Sequence, residues 1–363
     1  VSSAARHALH ALLVVVLAVT VVVAVVVVVD TASEHQQATA EAPRGPSGSL
    51  GHVGPPAETH DFRRFRIGAV DGQRLTPNAT DFASRSVGDG PLLLFLPATR
   101  ARPADYRTFL SVASQAGYNV LGLDYWNLGT TLSGTCENDP RCYTQVQRNR
   151  FDGTDASQFS DVGPAGSITA RLRDAVAHLS SADPAGGWNR FVDGAGHIAW
   201  DHIVVAGHSQ GGGEAAFIAH IRPVLGALMF SSPVESDGAA HAAWMDRPGV
   251  TPITREYAID DVRDVFGPRI RGSWRVLGLD GPHGPSVTTT RPPSGDPHAI
   301  LTRLDVGDPD QAHSLIIDDA TPLQANGTPR MLPLWHWMLT RFPLPQTHEP
   351  NPTRSAAPTP SRG

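Results

Sequence analysis

The sequence predicts an α/β fold in which helices cover both faces of a mostly parallel central sheet. Three observations carry that prediction. Residues 91–97, PLLLFLP, and 118–125, YNVLGLDY, are continuous apolar runs of strand length, as expected of strands buried on both faces. Residues 103–116 between them read as a helix, and a strand–helix–strand unit places its strands in parallel. Residues 203–220, IVVAGHSQGGGEAAFIAH, read as a buried strand, a glycine-flanked turn and a helix carrying Ala215, Ala216, Ile218 and Ala219.

The elements follow in order. Residues 8–29 are an uncharged apolar run, with Arg6 before it and Asp30 and Glu34 after it. The run is long enough to span a bilayer and longer than the usual core of a cleaved signal. Two outcomes stand, an uncleaved membrane anchor or a signal peptide cut near 31–33 or 38–40. In either case the positive charge on the N-terminal side places the rest of the chain outside the cytoplasm. Residues 31–60, polar and rich in Pro, Gly and Ala, read as a flexible linker. The folded domain is expected over 61–342, and the Pro- and Thr-rich residues 343–363 form a disordered tail.

Within the domain, Phe62–Val70 is expected to be the first strand, followed by an Asp71-Gly72 turn. Pro103 suits the first turn of the 103–116 helix and Gly117 its end. Residues 126–164 break the rhythm and are rich in Gly, Asp, Asn and Thr. A loop of this length is expected to be a cap-like insertion at the carboxyl edge of the sheet, facing the substrate. It holds both cysteines, and in an oxidising compartment Cys136 and Cys142 are expected to form a disulfide. Ile168, Leu172, Val176 and Leu179 recur at helical spacing over 167–181. Trp188, Phe191 and Trp200 read as packing residues. Further strands are expected at 224–231, 253–259, 274–280 and 299–306, and a last helix at 331–341, with Leu332, Trp335, Met338 and Leu339 on one face.

Composition narrows the function classes. The 363 residues carry a formal charge of -6, which argues against nucleic acid as the main partner. The 29 basic residues are all arginine. No HExxH, CxxC or GxxxxGK[ST] pattern occurs, so nothing implies a metal, a nucleotide or another cofactor.

The turn at Gly207-His208-Ser209-Gln210-Gly211 matches G-x-S-x-G in the strand–turn–helix setting that this motif requires. A sharp turn lifts the Ser209 hydroxyl clear of the sheet, and the glycines let strand and helix nearly touch. The helix N-terminus beneath it favours developing negative charge. The stretch resembles the nucleophile turn of the α/β-hydrolase superfamily, most nearly its exported esterase and lipase-like members with GHSQGG-type turns. The resemblance extends over residues 62–342.

That resemblance implies a Ser-Asp-His triad in chain order, with the acid after a late strand and the histidine after the last one. It also implies two backbone oxyanion donors. Pro97-Ala98-Thr99 stands where many relatives carry His-Gly-X, which makes the Thr99 N–H one donor and the Gln210 N–H the other. For the acid, Asp264 is favoured and Asp261 is the alternative; Asp260 and Asp261 also suit capping of a helix over 262–266. Of the later histidines His283, His298, His313, His336 and His348, His313 lies in the loop where the fold needs a base. His208 is expected to pack beside the turn. The implied function is hydrolysis of a small-molecule carboxylic ester through an acyl-enzyme, with no cofactor. The alternatives are a non-catalytic binding domain on the same scaffold and an acyltransferase using the same triad.

Overall fold

The computed structural model describes residues 62–343 other than 87, 88, 138 and 238. The apolar run 8–29, the linker 31–60 and residues 344–363 of the expected tail lie outside the described residues. Among the described residues no helix is long and apolar enough to cross a membrane.

The strands in chain order are β1 (Arg63–Phe65), β2 (Ala69–Val70), β3 (Gln73–Arg74), β4 (Asp81–Ser84), β5 (Leu92–Leu96) and β6 (Asn119–Gly122), then β7 (Ile203–His208), β8 (Gly226–Phe230), β9 (Glu256–Asp261), β10 (Ser286–Thr288) and β11 (Ala299–Thr302). Nine of them form one sheet in the order β1-β4-β6-β5-β7-β8-β9-β11-β10. The β1–β4 and β4–β6 pairs are antiparallel; every pair from β6 to β10 is parallel. Residues 62–70 are not one strand, as the sequence had suggested. Gly68 takes a φ of 78° and turns the chain away after β1, so that β2 and β3 pair as a separate hairpin around Asp71-Gly72.

The sheet is buried on both faces. Leu92, Leu94 and Leu96 of β5 join Ile203 and Val205 of β7 in one apolar cluster; Leu93 and Phe95 join Val204 and Ala206 in the other. Alternation with period two sends neighbouring side chains to opposite layers. The helices are α1 (Arg107–Gln115), α2 (Leu132–Cys136), α3 (Pro140–Asp152), α4 (Gly163–Gly166), α5 (Ile168–Ala182), α6 (Gln210–Ile221), α7 (Gly267–Leu277), α8 (Ala312–Leu315) and α9 (Leu332–Leu339). Residues of α3, α5, α6 and α7 fill the first layer, and residues of α1, α8 and α9 fill the second. Trp188, Phe191 and Trp200 are buried in the first layer, as packing residues should be.

Two sequence expectations fail here. Residues 274–280 are not a strand: Trp274 and Leu277 belong to α7. Pro268 sits in the first turn of α7 and Gly278 closes it with a φ of 78°, signals that outweigh a short apolar run. Ile270 and Trp274, one helical turn apart, are both buried. Residues 126–164 are not a structureless loop either, since they contain α2, α3 and part of α4. Thr131 and Asp139 cap α2 and α3 with side-chain oxygens, and Val146 and Phe151 of α3 are buried in the core. Cys136 and Cys142 form a disulfide that joins the end of α2 to the start of α3.

Burial also governs the response of the fold to pH. Burial pushes Glu256 up to about 8. Burial likewise raises Asp81 to about 8, against a lowering backbone hydrogen bond at Asp124. Glu235 is raised to about 8 by burial and then by the charge of Glu214. In the unfolded chain such groups lose their protons near pH ~4. Between that pH and about 8 the folded chain therefore binds more protons than the unfolded one, and stability falls as pH rises. Thermal unfolding is expected at a higher temperature near pH ~5 than near pH ~8; the reverse order would contradict these protonation states.

Candidate active site

Strand β7 ends at His208, and α6 begins at Gln210, so Ser209 alone makes the turn. Its φ of 51° and ψ of -116° lie outside the regions open to most L-residues. The strain is held by the sheet: Ser209 N–H donates to the Phe230 carbonyl at 2.8 Å, and the Ser209 carbonyl accepts from Gly213 N–H at 2.9 Å. A Cβ on Gly207 would lie 2.2 Å from the Gly211 carbonyl oxygen, and one on Gly211 would lie 2.0 Å from that of Leu96. Both obstacles are backbone and cannot rotate aside. Gly211→Ala is therefore expected to cost ~3 kcal/mol or more of stability. That corresponds to a melting temperature lower by about 6–12 °C. A melting temperature unchanged within about one degree would contradict the close approach.

The structure brings His313 and Asp264 together. His313, in α8, directs Nδ1 to Asp264 Oδ2 at 2.6 Å. Asp264 lies in the loop after β9, its side chain fully buried, and its other oxygen accepts from Phe266 N–H at 2.7 Å. Burial alone would raise Asp264; the hydrogen bond and charge of His313, with further bonds at Asp260 and Phe266, overcome it and hold the group at about 2. Asp261, the alternative acid, is occupied elsewhere. One of its oxygens accepts from Arg263 N–H at 2.9 Å and the other from Leu304 N–H at 2.8 Å. Both Asp260 and Asp261 are the last residues of β9, not caps of a helix over 262–266.

His313 is tied to the Ser209 turn through its backbone. Its carbonyl accepts from His208 Nε2 at 2.9 Å and from the Ser231 hydroxyl at 2.8 Å. Because that carbonyl can only accept, the His208 proton sits on Nε2, and Nδ1 accepts from the Tyr106 hydroxyl at 2.9 Å. Tyr106 in turn accepts from Ala98 N–H at 3.2 Å. Burial, then the charge of His313, lowers His208 to about 3, so it stays a neutral spacer. It packs beside the turn, as its sequence position suggested, and it also links the 97–102 loop to the His313 loop. The His313 ring lies edge-on to Phe266, with centroids 4.9 Å apart.

The two expected oxyanion donors are in contact. The Thr99 hydroxyl donates to Gln210 Oε1 at 3.0 Å, and Gln210 Nε2 donates to the Tyr125 hydroxyl at 3.2 Å. Ala98 N–H is taken by Tyr106 and Arg100 N–H by Asn127, which leaves Thr99 N–H without an acceptor among the described residues. Gln210 N–H opens α6 in the same state. Ser209, Thr99, Leu132, Val234 and Phe266 line a cavity of about 20 Å³, which admits little more than one water-sized group. Leu132 brings α2, and so the disulfide-clipped insertion, to the wall of this cavity.

Three residues of the site were not found from sequence. Tyr106 and Ser231 show no distinguishing spacing; only the sheet brings them to His208 and His313. Asp260 was read as a cap, yet it is fully buried beside Asp264. Burial, followed by the Asp264 charge and a hydrogen bond to it, pushes Asp260 well up. The proton thus resides on Asp260, which supplies Asp264 with a donor. Asp260 Oδ1 stands 3.3 Å from the Ser231 hydroxyl, while Oδ2 has no hydrogen-bond partner among the described residues. Among the described residues no group of His, Cys, Asp and Glu side chains is arranged to hold a metal ion.

No family model matches the chain, and no curated protein matches it. Solved structures do. Carboxyl esterase 2 of the mycorrhizal fungus Tuber melanosporum aligns with a TM-score of 0.42 at 12% identity, covering 85% of this chain and 98% of its own. A propionate-bound thermophilic esterase of Thermogutta terrifontis aligns with a TM-score of 0.39 at 13% identity, covering 78% and 96%. A protein of Thermus thermophilus aligns with a TM-score of 0.37 at 16% identity, covering 77% and 97%. Likeness at this level carries neither activity nor substrate to the chain. The strand order, the parallel register and the strained serine between β7 and α6 stand by themselves: helices cover both faces of a mostly parallel sheet, in the fold class that the sequence predicts.

Proposed function

We propose that the protein is a serine hydrolase that cleaves short-chain carboxylic esters outside the cytoplasm. The observation that carries the reading is the Asp264–His313 pair, fastened through His208 and Ser231 onto the turn that presents Ser209. A serine hydroxyl needs a base, and the base needs a fixed tautomer. With Nδ1 committed to Asp264, His313 has Nε2 free to take the Ser209 proton. Ser209 Oγ then bonds to the ester carbonyl carbon, and Gln210 N–H and Thr99 N–H hold the resulting oxyanion. His313 returns the proton to the leaving alcohol. Water, deprotonated by the same imidazole, releases the acid and restores Ser209. The location rests on the N-terminal apolar run and on the disulfide.

A fluorophosphonate probe tests the nucleophile. Wild type is expected to be labelled and Ser209→Ala not; labelling that persists in Ser209→Ala would put the nucleophile elsewhere. The apolar side chains of Leu132, Val234 and Phe266 crowd the space beside Ser209, which favours a short acyl group there. Turnover of p-nitrophenyl acetate is expected to exceed that of the butyrate, and the butyrate that of the octanoate. Octanoate matching acetate would mean that the cavity does not receive the acyl chain.

A further inference from the structure

On the same carboxyl edge of the sheet lies a second, larger groove of about 570 Å³. Its walls carry four exposed guanidinium groups, Arg64, Arg66, Arg100 and Arg102. We propose that this groove binds a phosphate-class anion. Ion pairs elsewhere in the fold take up other arginines; among the described residues none of these four has a carboxylate within ion-pair distance. The carboxylate on the groove wall, Asp124, is buried and already committed. It pairs with Arg171 at 3.4 Å and accepts from Ala79 N–H at 2.8 Å. The nearby Asp105 accepts from the backbone N–H of Arg102 at 2.8 Å.

Four like charges line one groove against the single carboxylate of Asp124, which Arg171 already pairs, and they do so on a chain whose net charge is -6. The groove is therefore not explained by an overall basic surface. The guanidinium groups retain most of their donors. Arg66 gives one N–H to Thr80, and Arg100 one to the Gly129 carbonyl. A guanidinium has five. Arg64 lies over the Phe82 ring, 5.7 Å from its centroid.

The loop that presents Arg100 is braced. Arg100 has a φ of 61°, its N–H donates to the Asn127 carbonyl at 2.9 Å, and Asn127 Nδ2 donates to the carbonyls of Ala98 and Ala101. A left-handed non-glycine residue held this firmly is a feature of ligand clamps. Four fork-shaped donors exceed what one carboxylate can use. A phosphate monoester or diphosphate, with more charge and oxygens pointing in several directions, matches them. Arg100 follows Thr99, so a ligand bound here lies next to the cavity at Ser209; binding in the groove does not depend on the ester-cleaving reading.

The ligand is either a soluble phosphate compound or the headgroup of an anionic lipid. The test titrates inorganic pyrophosphate into the full chain by calorimetry. It also measures co-sedimentation with phosphatidylglycerol vesicles against phosphatidylcholine vesicles. The variant carries Arg64→Gln, Arg66→Gln, Arg100→Gln and Arg102→Gln, with its fold checked by circular dichroism. Wild type is expected to bind pyrophosphate saturably, more weakly as salt is raised, and the variant roughly tenfold more weakly or worse. Both proteins share the N-terminal apolar run, so only their difference counts in the vesicle arm. Loss of phosphatidylglycerol binding in the variant assigns a headgroup. Weakened pyrophosphate binding with unchanged vesicle binding assigns a soluble phosphate. If neither measurement separates the variant from wild type, the proposal is overturned.

Discussion

Ser209→Ala and His313→Ala are each expected to lower kcat for ester cleavage by roughly a millionfold, and the double variant to be no worse than either. The reason is that nucleophile and base act as one unit. Without the imidazole, the hydroxyl keeps its proton and cannot attack; without the hydroxyl, the imidazole has nothing to activate. What remains is the oxyanion pair and binding, worth roughly 10³–10⁴-fold over water. Because Ser209 is only partly buried and His313 is a short-helix residue near the surface, neither truncation empties a core site. Circular dichroism is therefore expected to stay close to wild type in both; melting should stay close in Ser209→Ala, whereas His313→Ala leaves the buried Asp264 without its partner and is expected to melt lower. Additive losses in the double variant would show that the two residues do not share a step.

Asp264→Asn is expected to lower kcat by about 10⁴-fold with little change in KM. The carboxylate accepts from Nδ1–H of His313 and so keeps the lone pair on Nε2. An amide turned to donate at that position would reverse the tautomer and put the proton where the base must be free. The ionised state of Asp264 is well protected: the group sits at about 2, so acid removes its contribution only as pH falls through the range from ~4 to ~2. Asp260→Asn provides the control. It leaves a donor beside Asp264, so most of the activity is expected to remain. An Asp264→Asn enzyme within tenfold of wild type would move the acid to another carboxylate.

The comparison of Asp261 with Asp264 shows where sequence reasoning ends. Both carboxylates follow the same strand within a few positions, and either suits the acid by chain order. The choice is made by the parallel neighbour β11, whose continuation presents Leu304 N–H to Asp261 and so fills it. Asp264, three residues on, is left for His313. The error at 274–280 has a similar origin. A short apolar run fits a buried strand or a buried helix; of the deciding signals, Pro268 lies well before the run, and Gly278, inside it, marks the end of a helix that began at Gly267. Asp260 was illegible for a different reason. Its protonation depends on how completely it is enclosed and on which carboxylate faces it, and neither is a property of the local chain.

Local chemistry was enough to determine the strand–turn–helix at Ser209, the alternation of buried strands with helices, and the pairing of Cys136 with Cys142. In each case the partners lie within a few residues of one another, so steric and periodic rules act on the sequence directly. Tertiary structure alone decided which carboxylate meets His313, the proton-bearing role of Asp260, the chain of contacts from Ala98 through Tyr106 and His208 to His313, and the gathering of Arg64, Arg66, Arg100 and Arg102 on one groove. Those groups come from segments far apart in the chain, and only the order and register of the sheet bring them to one site or one groove.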